Sequence, residues 1–390
     1  MKVPTNQDNA TPAQLNRSLL ARQGLLARQD VGRPDAGRPA AGLVEAVEAF
    51  GAIQAQQWSS PPVGLWNRLR GFAADDLWAA LERGDLLTGM LMRRTLHLVS
   101  AREHPAYSRV ASDSGVGGWL LRGVEQPPRA GEMLEDTLRY AARARTGDEL
   151  TAYAEKWVAA HPSALPAAAV EAQREYAWRP FRAQPGFVRA PADGQWSKRT
   201  PAAYRAAPAP AADPGPAWEL VVRRHLAAFG PAGADDVAYW LGCGVAAAKA
   251  VLGRLDVVTL GEEGSRRVLY DLPDAPRPDG DVEAPPRLLP AFDGALLAYS
   301  ANRRGRILPD AYRDRVYQRA NLRWLPTLLV DGMVAGTWST ETKRGAAVVS
   351  VTAFAALPRE TRAAVEAEAA ELARFVAPDA KNHAVSLTAA

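Results

Sequence analysis

The sequence predicts an α+β protein: three tandem winged-helix units followed by a small C-terminal β-sheet or barrel. Three observations lead there. Blocks of short amphipathic helices are each followed by extended segments. A Pro/Ala-rich linker, "AAPAPAADPGP", interrupts the chain at 206–216. Strand-like runs take over after residue 286.

The first unit spans 12–110. Residues 12–30 read as a helix with Leu15, Leu19, Leu20, Leu25 and Leu26 on its apolar side. A loop with two Gly-Arg-Pro repeats follows. A second helix starts near Leu43, with Val44, Val47 and Phe50 at helical spacing and Gly51 as its stop. A third, "DDLWAALERG", has Asp75 as N-cap candidate and Gly84 at its end. "LLTGMLMRRTLHLVS" then reads as a β-hairpin, the wing of a winged helix.

The second unit, 111–205, is mostly helical over 132–178, and Thr146 with Glu149 forms a capping-box pattern. "GFVRA" and "GQWSKRT" are extended and suit a second wing. The third unit, 217–272, repeats the plan: three helices, the first closed by Gly230, then the hairpin "VVTLGEEGSRRVLYDL". The β-domain, 285–376, contains "RLLPAFDGALLAYS", "TLLVDGMVAGTWST" and "AAVVSVTAF". Asp331–Gly332 is a strong two-residue turn signal, and a final helix covers 358–375.

Composition narrows the function. The 390 residues are 47% hydrophobic, enough for several cores. No run of eighteen apolar residues occurs, and "MKVPTNQDNATPAQLN" lacks the apolar stretch of a signal peptide. The single cysteine, Cys243, excludes a disulfide framework and suits packing in a helical turn. The expectation is a cytoplasmic, nucleoid-associated protein with no membrane partner. Net charge is +4, carried by six lysines and forty-one arginines. Arginine's planar fork suits phosphate, so nucleic-acid binding is permitted without being required. The five histidines are scattered without ligand spacing, and "GVGGW" lacks the lysine of a phosphate loop. Neither metal nor cofactor is expected.

"GAIQAQQWSSPP", 51–62, is the polar concentration that calls for an explanation. In an extended segment Gln54 and Gln56 would face one side, with Ile53 and Ala55 anchored in the core and Trp58 with "SPP" stopping any helix. The alternative is a pair of glutamines that cap a helix end or sit in solvent.

Six segments in one order, "LNRSLLARQGLL", "GAIQAQQWSSPPVGLWNRL", "MRRTLHLVSAREH", "AAFGPAGADDVAYWLG", "RLLPAFDGALLAYSANRRGRIL" and "LLVDGMVAGTW", run from residue 15 to 338. Together they resemble the winged-helix DNA glycosylases of the AlkZ/YcaQ type. Gln54-Ala55-Gln56 looks like the Gln-aliphatic-Gln form of the AlkZ-like branch. The resemblance implies a C-shaped basic channel around duplex DNA and removal of N7-alkylated purines. In some members it also implies unhooking of interstrand crosslinks made by DNA-alkylating antibiotics, as self-protection. By the same resemblance Gln54 and Gln56 are the catalytic pair. The chemistry agrees: an N7-alkylguanine is already cationic, so the site needs a positioned water more than a strong base.

Cations along the chain are candidate DNA contacts: Arg93, Arg94 and His97 in the first wing, Lys198 and Arg199 in the second, and Arg303, Arg304 and Arg306 in "SANRRGRIL". For each, the alternative is a structural or solvated side chain; Asp293 in "AFDGA" reads as a turn aspartate. The expectation is therefore a monomeric, monofunctional DNA glycosylase acting on double-stranded DNA with alkylated purines. Its rival is a non-catalytic winged-helix regulator, which the alanine-rich "VAAAKAVLGRL" helix weakens, having few side chains suited to base edges.

Overall fold

The computed structural model describes residues 9–30, 42–115, 129–198, 201–343 and 345–389. It is a mixed α+β fold, and its contacts gather the chain into two compact units. One holds residues up to 76 with 222–240 and 244 onward; the other holds 77–221 with 241–243.

In the larger unit, helix Pro12–Arg22 starts at a capping box: Thr11 Oγ1 accepts from Gln14 N, and Gln14 Oε1 accepts from Thr11 N. It stops well before the expected residue 30. Gly24 turns the chain at φ +65°, where an added Cβ would meet the Arg68 carbonyl at 3.0 Å. Leu25 still reaches the core, from outside the helix. Helix Leu43–Ala49 ends as its sequence indicates, with Gly51 at φ +71°.

The expected helix stop at "SSPP" is instead a helix start. Ser60–Arg68 is helical, its prolines in the first turn where their missing N–H groups need no partner. Val63, Leu65 and Trp66 are buried on it. Helix Ala74–Arg83 ends at Gly84 as expected, but Asp75 lies inside the first turn, not at the cap.

The β-domain is an open five-stranded sheet. Its order is Arg287–Leu289, Thr327–Val330, Met333–Lys343, Ala346–Ala353, Asn382–Ala389. Asp331 (φ 46°) and Gly332 (φ 75°) form the two-residue turn. The last strand pairs parallel with its neighbour, a pairing that requires a crossover, and helix Arg359–Val376 provides it. Sequence periodicity ends at that helix and does not reveal the strand. A separate sheet combines Asn9–Ala10 with the hairpin Val258–Glu262/Val268–Asp271. Helices Pro214–Phe229, Ala234–Leu241 and Val245–Leu252 precede that hairpin.

In the smaller unit the expected hairpin is present: Leu86–Met90 pairs antiparallel with Leu96–Ser100. The sheet continues through Phe187–Pro191 and Ala202–Ala206 to Arg145–Thr146. The second of these corrects the sequence reading, which placed an extended piece at "GQWSKRT"; residues 196–198 turn and bend, and the strand begins at Ala202. Helix Gly147–Ala160 carries the Thr146/Glu149 capping box. Its Trp157 packs with Met133, Val170, Trp178 and Phe181 in the core of this unit.

Part of the arginine works inside the protein. In the larger unit Arg17, Arg22, Arg68, Arg287, Arg304 and Arg306 are all buried. Arg22 makes a two-pronged pair with Asp271 at 2.7 and 2.8 Å, and neither side chain is more than 1% exposed.

Candidate active site

The site begins at Gly51. Its left-handed backbone ends the preceding helix and carries the chain past Ala228 and Phe229, both 3.2 Å from where a Cβ would stand. The chain then extends through Ile53–Gln54 and bends over 56–57. Ala52 is buried, Ile53 and Ala55 are half-buried, and Gln54 is only 6% exposed. The expected arrangement is thus inverted: the glutamine is inside and its aliphatic neighbours are at the margin. Gln56 is exposed. The extended backbone stops at Gln54, so the rule that residues i and i+2 share a face does not carry across to Gln56.

Gln54 lines a cleft with about 20 Å³ of space for solvent, room for one water molecule. Gln23, Ser60, Arg68, Phe292 and Asp293 line it too; Gln56 does not. Gln54 Oε1 is buried and has no hydrogen-bond partner among the described residues. A buried amide oxygen left unpaired costs on the order of 1–3 kcal/mol, so an acceptor retained there signals a ligand or a water.

The other polar groups on the cleft are fully engaged. Arg68 donates to both oxygens of Asp293, at 2.8 and 3.0 Å, and to the Gly64 carbonyl at 2.9 Å. It also donates to Gln23 Oε1 at 2.9 Å. Gln23 Nε2 in turn holds the carbonyls of Phe50 and Ala228 at 3.1 and 3.0 Å. Asp293 additionally caps helix Gly294–Leu297 by accepting from Ala295 N at 2.9 Å. It is a turn aspartate, as its sequence context suggests, and Phe292 before it sits at φ 60°. Ser60 Oγ donates to the Ala291 carbonyl at 2.8 Å. This frame ties four remote stretches of chain around Gln54. None of Gln23, Ser60 or Arg68 stands out in the sequence. The one available signal was a polar pair, Asn67-Arg68, closing an otherwise apolar helix.

The DNA-contact candidates differ in their placement. Arg94, Lys198 and Arg303 are exposed. Arg94 donates to the Gly115 carbonyl at 3.1 Å, and Arg303 lies 3.8 Å from Asp235. Arg93 is half-buried, and it and Arg94 are both left-handed in the connection between the two hairpin strands. Arg199 lies outside the described residues.

For His97, Arg304 and Arg306 the expected contact with DNA gives way to internal structure. His97 is 1% exposed, and its Nδ1 lies 2.9 Å from the Thr95 carbonyl. Burial, reinforced by the Arg93 charge, lowers its pKa to about 3, so the ring is neutral. Arg304 donates to Tyr239 Oη at 2.8 Å and stacks 4.7 Å from the Trp324 ring. Arg306 donates to the Pro231 carbonyl at 2.9 Å and lies 4.1 Å over Tyr299. A glycine between two arginines reads as an exposed loop; Gly305 is exposed, yet both arginines fold inward. Among the described residues there is no group of three His, Cys, Asp or Glu side chains that could hold a metal. There is likewise no helix long and apolar enough to cross a membrane.

The fold that carries this cleft is that of a DNA glycosylase. DNA glycosylase AlkZ from Streptomyces sahachiroi superposes with a TM-score of 0.74 over 97% of this chain and 100% of its own, at 20% identity. The sequence pattern of the DNA glycosylase AlkZ-like family matches residues 47–375. The chain belongs to that family. None of the curated proteins compared with it matches.

Proposed function

We propose that this DNA glycosylase hydrolyses the N-glycosidic bond of N7-alkylguanine, including bulky adducts and the interstrand crosslinks left by DNA-alkylating antibiotics. The observation that carries the reading is the unpaired, buried Oε1 of Gln54 on a cleft the size of one water. Alkylation at N7 makes the base a cation, so it departs without a general acid. The sugar develops oxocarbenium character as the bond breaks. What remains is to hold a water against C1′ and to exclude competing geometries.

Gln54 supplies the acceptor for that water. The cleft also holds a carboxylate, Asp293, but both of its oxygens are taken up by Arg68 and the helix cap. A neutral amide is therefore the acceptor left for solvent, which suits a leaving group that is already activated. Gln56, which is exposed and does not line the cleft, is the second member of the catalytic pair and acts from the substrate side. Unmodified purines, which need protonation to leave, are poor substrates for such a site.

The segments 12–110, 111–205 and 217–272 act as winged-helix units on duplex DNA, with 285–376 as the accompanying β-domain. Arg93, Arg94, Lys198, Arg199 and Arg303 supply backbone contacts that are largely independent of sequence. The enzyme works as a monomer without cofactor.

Release of N7-methylguanine from a methylated duplex, followed by mass spectrometry, tests the reading. Gln54→Ala is expected to lose about 100-fold or more of the release rate, the scale of one positioned catalytic group, while duplex affinity stays within about threefold of the parent. Unchanged release in both Gln54→Ala and Gln56→Ala refutes the assignment.

A further inference from the structure

The 77–221 unit contains a second cavity, unrelated to the glutamine cleft. It has about 190 Å³ of space and is lined by Arg179, Arg182, Arg189, Tyr204, Phe187 and Met90 among others, with no carboxylate in its wall. The guanidinium of Arg189 lies 4.3 Å over the Tyr204 ring, and that of Arg182 lies 5.7 Å from it. Arg182 is held in place by donating to the Gly147 carbonyl and, at 3.2 Å, to Thr151 Oγ1. Two donors of the cluster are left over: Arg182 Nε and Arg189 Nη1 are buried without a hydrogen-bond partner among the described residues.

Three cations around one recess repel each other, and the arrangement invites an anion. The Arg182 pKa is pushed down by burial first; Tyr204 opposes this, the charges of Arg179 and Arg189 add to it, and the Asp148 carboxylate opposes it more weakly. The other arginines in the cores described above are neutralised by a carboxylate or engaged by carbonyls and hydroxyls. Arg304 too leaves its Nε buried without a partner among the described residues; what sets this cluster apart is that three guanidinium groups line one cavity whose wall is otherwise apolar and aromatic, with no carboxylate. Planar guanidinium forks match two oxygens of a tetrahedral oxyanion.

We propose that this cavity binds a phosphate group. The wall of Tyr204, Phe187 and Met90 leaves room for part of whatever carries the phosphate, whether a DNA strand or a small phosphorylated molecule.

Calorimetric titration of the full chain with inorganic phosphate, at fixed ionic strength with chloride as the control anion, tests this without reference to base release. Saturable binding is expected. It should weaken about tenfold in Arg189→Gln, as expected for loss of one charge-assisted contact, and less in Arg179→Gln, an exposed position whose replacement spares the fold. Absence of saturable phosphate binding, or equal binding by the parent and both variants, overturns the proposal. A second arm identifies the source. Phosphate that displaces unmodified duplex, with a salt slope smaller by about one in Arg189→Gln, marks the site as a strand-backbone contact. Phosphate that binds without displacing duplex marks it as a site for a small phosphorylated molecule. Both results uphold the site.

Discussion

At the scale of single residues, the cleft depends on a buried charge pair whose partners are 225 positions apart. Arg68 and Asp293 have side chains 4% and 3% exposed. Removing one partner of such a pair leaves an uncompensated buried charge, at about 3–5 kcal/mol. Arg68→Met should therefore lower unfolding stability by about that much in urea, and adding Asp293→Leu should recover most of it. A double variant as unstable as the single one would show that the pair does more than neutralise itself. Two buried histidines contribute to the loss of stability in acid. Burial holds His104 at a pKa of about 4, with both ring nitrogens unpartnered among the described residues, and His97 at about 3. Unfolded histidine titrates near 6.5. The unfolded chain thus takes up protons first as pH falls. Stability from the neutral rings is complete above about pH 6.5 and drains away as pH drops through 4 and then 3. In His104→Leu the loss between about pH 6.5 and 4 should be shallower, measured by thermal melts across pH. The identity of Gln54 was legible at this scale, because a local motif marks it. Its frame was not: Gln23, Arg68 and Asp293 converge only through tertiary contacts.

At the scale of elements, local chemistry was readable where it alone decides the outcome. The Asp331–Gly332 turn, the Gly51 and Gly84 stops and the Thr146/Glu149 cap all depend on a few adjacent residues. The misreadings have a common cause. "SSPP" can end one helix or begin another, and only the packing of Val63, Leu65 and Trp66 decides. "SANRRGRIL" reads as a solvated loop until Tyr239, Trp324 and Tyr299 supply surfaces for its arginines. The strand Asn382–Ala389 exists because an edge beside Ala346–Ala353 is open to it. Gly51 joins an element to the site. Gly51→Ala must hold φ +71° and press against Phe229 at 3.2 Å. We expect a loss of about 1–2 kcal/mol in denaturant melts from the backbone alone, with base release reduced beyond what the unfolded fraction explains, since Gln54 follows three residues later.

At the scale of the whole molecule, a DNA glycosylase of the AlkZ-like family sets six arginines in its interior and keeps the larger set of its described cations exposed or half-buried. A net charge of +4 therefore understates the division of labour. Exposed and buried cations should separate experimentally. Lys198→Gln should reduce the slope of log affinity against log salt by about one and leave stability unchanged. Arg304→Gln, which loses Tyr239 and Trp324, should lower stability with little change in that slope. Equal behaviour of the two would mean that burial does not mark which arginines meet DNA. The most direct test of the central claim is single-turnover release of N7-methylguanine by Gln54→Ala at saturating enzyme. The account predicts a rate lower by about 100-fold or more with unchanged duplex binding; release at the parent rate would contradict it.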